Sequence, residues 1–438
     1  MGDWTSNRPP FFELITLIKM IRFLLILTLS CASCISAQTA APPLTLAQVK
    51  QATAEAAIQK NPKNAESYNE LALAFVQRAL ETSDPKYYTD AEQALANSLR
   101  LAPDNFGGLK VRVQILLGRC EYVKALALAK TLNLRVRDDV PVYLLVADAD
   151  IKLGDYKEAE DRAQWALNLR PPSQFSLLPA AQLRELFGDI DGSLAFLRDA
   201  LQMTSSRDAQ ERAHILVEMA RLSLATGNVD TADKLLNQAL QSFPDYHPAL
   251  AGLARVRSAQ QRYPEAVESW RRECQAIPEL QNYYGLAETL DRAGRHEEAT
   301  AAYADFEQKA RSHISSADND NRELVFYYAD HARKPAEALR VAHQEISRRH
   351  DVYTLDAYAW ALYANGQYPE ARKQMDTALA VGIRDAEILY HAGAIRSELH
   401  EPAAALGYWQ QAVALNPGFE PARKALTQAA SVAQLPSK

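Results

Sequence analysis

Apolar residues recur along the chain in paired helix-length runs, and a small residue marks the second run of each pair. Ten positions carry it: Ala91, Ala125, Ala159, Ser193, Ala232, Ala266, Ala299, Ala338, Ala371 and Ala405. Successive members lie 33 or 34 residues apart in seven of nine steps and 39 apart in the other two. A period of this length predicts stacked supersecondary units instead of unrelated globular domains.

Two clear units, residues 143–171 and 355–378, show how each pair is built. An apolar-periodic helix ends at Leu-Gly or Asn-Gly, and an aromatic residue stands three positions before the small one. Glycine at this place predicts a left-handed residue that ends the first helix, and proline after the second helix prevents its continuation. The turn glycines are Gly154, Gly227, Gly294 and Gly366, and the closing prolines are Pro103, Pro171, Pro244, Pro278 and Pro417.

Small residues on both helices of a pair allow their backbones to approach closely. We therefore expect the first-helix alanines to face the recurring small residues of the second helix. They are Ala147, Ala220, Ala254, Ala287 and Ala359. Larger residues further along the second helix would fill the space toward the next pair: Trp165, Leu236, Trp270, Tyr303, Met375 and Trp409. No pair buries its apolar face alone, so stacking is required.

This combination of period, turn glycine, aromatic residue and closing proline resembles the tetratricopeptide repeat (TPR) over about residues 65–417. The resemblance implies an all-α fold, a right-handed superhelical solenoid of about ten helix-turn-helix units. We expect a linker and capping helix in 38–64, with the helix at Leu44–Lys60, then units 1–4 in 65–202, units 5–7 in 209–309, units 8–10 in 322–417, and a C-terminal capping helix and tail in 418–438.

Several units depart from the pattern. Cys120 occupies the turn position of the second unit, and Pro179 falls inside the first helix of the fourth. The two 39-residue steps predict extra loop at Met203–Ala209 and at about Lys309–Asn321. These loops suggest block boundaries, although stacking is expected to continue across them.

Residues 20–37 have the order of a bacterial secretory signal peptide. Arg22 supplies the positive charge, an apolar stretch follows, and small residues end at Ala37. We expect cleavage near Ala37 and a periplasmic or secreted protein with no membrane span after cleavage. The 19 residues before Met20 look like an over-extended start.

Two alternatives for the N-terminus remain open. Lipid attachment at Cys31 or Cys34 is one, although neither has the leucine expected three residues upstream of a lipidated cysteine. A retained anchor is the other, although Glu13 and Lys19 would interrupt its apolar run.

Composition narrows the function classes. The formal net charge is −6, so no overall basic field favours nucleic acid as a partner. Only 16 glycines are present, which argues against phosphate-binding loops, and four cysteines cannot form a disulfide scaffold. These features suit a non-enzymatic protein without a cofactor.

No catalytic or metal-binding motif stands out. The sequence contains no Walker A loop, dinucleotide fingerprint, nucleophile elbow or zinc-protease motif. Residues 318–320 begin like a calcium loop, but Arg322 occupies a later ligand position and no glycine follows, so a polar linker is the better interpretation. The histidines are scattered, which leaves a metal pair as a weak alternative. A groove enzyme would have to use Asp330, His331 and Asp356.

The concave surface is the remaining candidate site. In the family that the chain resembles, the second, fifth, ninth and twelfth positions of each first helix line the groove. The fifth-position column includes Lys110, Leu144, Leu178 and Tyr284, and the ninth-position column includes Gln114, Asp148, Gln182, Arg221, Arg255, Glu288, Asp330 and Trp360.

Two patches are predicted to bind a partner. Arg221 and Arg255 place positive charge in the middle of the groove. An aromatic patch with two acids follows the last four units: Tyr284, Phe326, Asp330, Tyr353, Asp356, Trp360, Tyr363 and Tyr390. Rigid rings are typical of peptide-binding hot spots. The alternative is that the rings pack between neighbouring units.

The sequence therefore predicts a non-catalytic scaffold that binds an extended peptide or a partner protein in its concave groove, in the bacterial cell envelope. This location follows family analogy and not the residues themselves. The alternative is a structural subunit of an envelope secretion or polysaccharide-export complex that docks through its convex face.

Overall fold

The computed structural model describes residues 44–169, 173–315 and 321–433. The predicted signal peptide and the acidic segment 318–320 lie outside the described residues. The described residues from Thr45 onward form one compact unit. Within the described ranges the protein contains 22 α-helices and no β-strand, which confirms the predicted all-α repeat architecture.

A capping helix, α1 (Leu46–Lys60), precedes ten helix pairs, and α22 (Glu420–Ala433) follows them. The pairs of units 1–5 are α2 (Ala65–Thr82) and α3 (Lys86–Leu101), α4 (Phe106–Gly118) and α5 (Tyr122–Arg135), α6 (Val140–Leu153) and α7 (Tyr156–Leu169), α8 (Gln174–Leu186) and α9 (Ile190–Met203), and α10 (Ala209–Ala225) and α11 (Val229–Ser242). Those of units 6–10 are α12 (His247–Ala259) and α13 (Tyr263–Ala276), α14 (Leu280–Arg292) and α15 (His296–His313), α16 (Arg322–Phe326) and α17 (Pro335–Ile346), α18 (Val352–Ala364) and α19 (Tyr368–Ala380), and α20 (Ala386–Glu398) and α21 (Pro402–Leu415).

The turn between paired helices has the same backbone in nine units, whatever residue it carries. A left-handed residue with φ between +51° and +93° stands five positions before each recurring small residue from unit 2 onward. It is glycine in five units and Cys120, Gln261, Arg333 or His400 in the others. The repeat therefore imposes a conformation that disfavours a side chain even where glycine is missing.

The small-residue columns are buried as predicted. The ten second-helix positions are at most 2% exposed, and the five first-helix alanines that face them are equally buried. The larger residues Leu236, Trp270 and Met375 fill the space toward the next unit at 2% exposure each. Close approach of small residues and interdigitation of large ones thus hold the stack together.

Two local features differ from the sequence-based expectation. Helix α15 continues to His313, so Lys309 is helical and not part of the loop. The first helix of unit 8 is only five residues long and passes into a π-helical turn, Tyr327–His331. Buried apolar clusters cross both predicted block boundaries, one from Leu177 to Leu222 and one from Val267 to Ala394.

The late units of the solenoid contact the early ones. The His350 amide donates to the Leu153 carbonyl at 3.0 Å, and the Val352 amide donates to the Tyr156 hydroxyl at 2.9 Å. These residues lie almost 200 positions apart in the chain. One turn of the superhelix therefore touches the next, a contact that the repeat pattern does not predict.

We call this contact the seam. Along it, the turns inside units 3, 4 and 5 lie in register against the segments that follow units 8, 9 and 10. A Cβ added to Gly154 would lie 2.6 Å from the His350 carbonyl carbon. One added to Gly188 would overlap the carbonyl oxygen of Gly382, and one added to Gly227 would crowd Asn416. A buried cluster joins Ile151 and Leu186 of units 3 and 4 to Val352, Met375 and Ile388 of units 9 and 10.

Candidate functional site

The first helices surround an inner cavity whose wider part we call the apolar chamber. It has a volume of about 920 Å³ and is lined mainly by units 2–5. Leu144 and Leu178 lie one unit apart on its wall, beside Phe175, which is 59% exposed. Phe175 is among the largest apolar groups that the described residues expose, and its ring lies open to a ligand.

Helix starts hold these side chains in position. The Asp139 carboxylate accepts a hydrogen bond from the Val142 amide at 3.0 Å and so begins α6. Positions four apart lie on one face of a helix, so Leu144 and Asp148 both reach the cavity. Leu178 and Gln182 repeat this arrangement on α8.

A second part of the cavity, the acidic chamber, has a volume of about 580 Å³ and lies against the seam. It shares five lining residues with the apolar chamber: Lys152, Gln182, Glu185, Glu218 and Arg221. Tyr122 and Tyr156 line it from the early units, and Asp351 and Tyr353 from the late ones. The two chambers are therefore continuous, and the seam supplies one wall of the cavity.

Arg221, predicted to give the groove positive charge, is paired with two carboxylates. Its guanidinium donates to both Glu185 oxygens at 2.7 and 2.6 Å and to Glu218 at 3.0 Å. Burial raises the pKa of Glu218, but Arg221 and other nearby cations together lower it by more than burial raises it. The pKa of Glu218 therefore lies below its usual range. The expected positive patch is thus neutralised at this position.

Arg255, the other predicted cation, lies over the ring of Trp270 at 5.4 Å and lines a smaller adjoining pocket of about 250 Å³. Burial lowers its pKa, although nearby Glu323, Glu279 and Glu288 raise it in part. Arg255 therefore faces an acidic wall and does not extend a basic surface.

Three of the predicted aromatic and acidic residues are buried between helices. Phe326 and Trp360 are each 6% exposed, and Asp356 is 0% exposed. The Trp360 indole donates to Asp330 at 2.9 Å and stacks on His391 at 4.0 Å. These three side chains pack between units instead of lining an open surface, which was the alternative that the sequence left open.

Other rings of the predicted aromatic patch are half-buried and pack against one another. Tyr363 stacks on Trp360 at 4.5 Å, and Tyr390 lies 6.0 Å from the same ring. Tyr284 lies 5.3 Å from Phe306 and within the cluster around Tyr303. Of the ten predicted residues, Arg221, Arg255 and Tyr353 line cavities described above.

A buried network of charged side chains adjoins the wall of the acidic chamber. His391 Nδ1 lies 2.7 Å from Asp356 Oδ1. Burial lowers the pKa of His391, but Asp356 raises it more, and the net shift is upward. Arg322 lies 3.7 Å from Asp356 and donates to Glu387 at 2.8 Å. This network connects units 8, 9 and 10.

Asp148 and Gln114 are polar groups on the wall of the apolar chamber that differ in what they offer. The Asp148 side chain is only partly covered; burial raises the pKa of its carboxyl, and the charge of Lys152 offsets part of that rise. Gln114 Oε1 accepts no hydrogen bond but is inaccessible to solvent. Both belong to the predicted ninth-position column and lie in neighbouring units. Of the two, Asp148 is the acceptor that a ligand in the cavity can reach.

The described ranges hold no group of three or more metal-ligating side chains, and no described helix has the length and apolar character needed to cross a bilayer. The residues considered for a groove enzyme each contact another side chain. His331 bonds to Tyr303 at 2.9 Å, Asp330 accepts from Trp360, and Asp356 pairs with His391. The second oxygen of Asp356, Oδ2, is buried and accepts no hydrogen bond.

Comparisons with known proteins identify the repeat. A family model for the tetratricopeptide repeat matches residues 217–280 and 357–419. A search of curated protein sequences finds no match. Similar solved structures include the human IFIT1 dimer with PPP-AAAA, at 14% identity and a TM-score of 0.48 over 85% of this chain and 95% of that one. Yeast Tom70 is similar at 12% identity and a TM-score of 0.38, over 88% and 95%.

The family-model match identifies tetratricopeptide repeats at residues 217–280 and 357–419, and paired helices recur through ten units of the described chain. Proteins of this repeat class are in general non-catalytic scaffolds for protein partners.

Proposed function

We propose that the protein is a non-catalytic scaffold that holds a segment of a partner protein against the walls of its inner cavity. The observation that carries the proposal is the continuous pair of chambers. They are lined by apolar side chains, among them Phe175 at 59% exposure, and by the partly covered Asp148 carboxylate. A concave, mainly apolar surface with a few polar groups is the usual form of a binding site.

The tetratricopeptide repeats at residues 217–280 and 357–419 support a protein partner. Large apolar side chains on a concave wall supply the contact area on which protein recognition depends. The aromatic residues of the last units stabilise the late part of the solenoid and so hold the seam wall in place.

The proposal is tested by Leu178→Arg with Leu134→Arg as its matched control. Leu178 lines the apolar chamber, whereas Leu134 is 72% exposed on α5 and lies outside its lining. We expect a tagged protein with Leu178→Arg to lose its crosslinked partner in cells, while Leu134→Arg retains it. Loss with Leu134→Arg alone would instead support docking through the outer face. Trp360→Ala is unsuitable as a test because the residue is buried.

We further propose that the protein works in the bacterial cell envelope after removal of residues 1–37. The support is the order of charge, apolar stretch and small residues in 20–37. Fractionation of a C-terminally tagged chain tests this: recovery of a shortened form outside the cytoplasm is expected. A full-length cytoplasmic form would contradict it.

A further inference from the structure

We infer that the segment held in the cavity is an extended polypeptide that carries apolar side chains beside lysine or arginine. This inference rests on the proposed binding function and specifies the chemistry of the partner. Its basis is the combination of an apolar wall with an excess of carboxylates over cations along one continuous cavity.

The size of the cavity favours a polypeptide over a small molecule. The two chambers together exceed the roughly 300–1,000 Å³ of typical small-molecule sites. They extend from units 2–5 to the seam with units 8–10, so an occupant that fills both must be long.

The apolar chamber would bind the apolar side chains of the segment. Leu144, Leu178 and Phe175 repeat an apolar surface on neighbouring first helices. Burying such surface yields about 25 cal/mol per Å². The Asp148 carboxylate among them is an acceptor, and its natural complements are the N–H groups of a peptide and the ammonium or guanidinium of a basic side chain.

The acidic chamber would bind the basic side chains. Its lining contains seven carboxylates and four cationic side chains. Three of the cations already have carboxylate partners: Arg221 with Glu185 at 2.6 Å, Arg322 with Glu387 at 2.8 Å, and Arg349 with Glu345 at 3.7 Å. The surplus negative charge lies in a concave, partly desolvated space, where a cation gains more than on an open surface.

The pKa values of carboxyl groups on the wall differ with their surroundings. Burial and the neighbouring Glu387 raise the pKa of Asp385, whereas nearby cations, Arg221 foremost, outweigh burial and hold the pKa of Glu218 below its usual range. Among these two groups, Asp385 is therefore the one that an added cation would stabilise. The same excess of negative charge opposes a nucleic acid, whose phosphates would be repelled.

The experiment uses three fluorescein-labelled twelve-residue peptides and fluorescence anisotropy with the purified chain. The first repeats Leu-Lys-Ala, the second replaces every lysine with glutamate, and the third replaces every leucine with serine. We expect the first to bind, and the other two to bind at least tenfold more weakly. Asp148→Asn should weaken the first peptide about fivefold, since one charged acceptor is lost. Asp199→Asn, which makes the same change on an exposed site of α9, should leave the affinity unchanged.

Three results would overturn the inference: equal or tighter binding of the glutamate peptide, equal binding of the serine peptide, or an equal effect of Asp148→Asn and Asp199→Asn. No binding of any peptide to the folded chain would also overturn it. If Leu178→Arg still removes the cellular partner, the proposed binding function stands and only the chemistry assigned to the partner fails.

Discussion

Replacing Gly154 with alanine perturbs the seam while leaving the repeat pattern unchanged. Gly154 ends α6 with φ +93°, and a Cβ there would lie 2.6 Å from the carbonyl carbon of His350. Gly294 has the same role in unit 7, with φ +72°, but an added Cβ has nothing within 4 Å. The two substitutions therefore share the backbone cost and differ only in the seam contact.

The two variants should differ in how much unfolding free energy they lose. A side chain in the left-handed region costs about 1–2 kcal/mol, partly offset by the lower entropy of the unfolded chain, so Gly294→Ala should lose about 1 kcal/mol. Gly154→Ala adds either an overlap of about 1–3 kcal/mol or, if the seam opens, the two hydrogen bonds of His350 and Val352 at about 1 kcal/mol each. Its total loss should reach about 2–4 kcal/mol.

Amide hydrogen exchange reports the seam directly. The amides of His350 and Val352 should exchange at least about tenfold faster in Gly154→Ala, since about 1.4 kcal/mol of local stability corresponds to a factor of ten. In Gly294→Ala they should exchange as in the unmodified protein. Equal exchange at both amides in the two variants would refute the argument that the superhelix closes through this contact.

Three further predictions concern single residues. Tyr156→Phe should cost about 1–3 kcal/mol in urea unfolding, because it leaves the buried Val352 amide without an acceptor; an unchanged midpoint would contradict this. His391→Gln should cost about 3–5 kcal/mol at pH 6, where the raised pKa keeps His391 protonated beside Asp356. The stabilising effect is fully present below about pH 6.5 and is lost as the pH rises through the raised pKa, so the difference in melting temperature should narrow by pH 9. His400→Gly should raise stability by about 1 kcal/mol, since φ is +60° at an exposed turn; a lower melting temperature would refute it.

Local structure could be predicted because each repeat obeys the same short-range rules. The period placed a turn at Cys120, where no glycine signals it, and the structure has a left-handed residue there. It also placed Leu144, Leu178 and Asp148 in columns that line the cavity. These outcomes depend on helix geometry within one unit and its neighbour, which sequence spacing determines.

The exposure of each column could not be predicted in the same way. Asp148 and Trp360 hold the same position in units 3 and 9, yet Asp148 faces the cavity and Trp360 is 6% exposed. The difference arises because Asp330 and His391, on neighbouring units, bind and stack on the indole. Aromatic residues in the columns therefore led the prediction to side chains that pack between units. The aliphatic Leu178, which was not predicted as a binding residue, lines the chamber.

The seam could not be predicted because its contacts join residues almost 200 positions apart. Gly154 carries the same turn signal as Gly294 and Gly366. Of these three glycines, Gly154 alone lies against a distant part of the chain. The curvature that brings them together accumulates from small rotations over many units. A one-dimensional period contains no direct information about where that curvature closes.

Site-specific photocrosslinking in cells tests the central claim, that a partner is held against the inner wall, most directly. A photoreactive amino acid at Leu178, on the wall of the apolar chamber, should crosslink to one defined segment of a partner protein, identified by mass spectrometry. The same group at Leu134, 72% exposed on α5, should not crosslink to that segment. A partner captured from Leu134 and not from Leu178 would contradict the account.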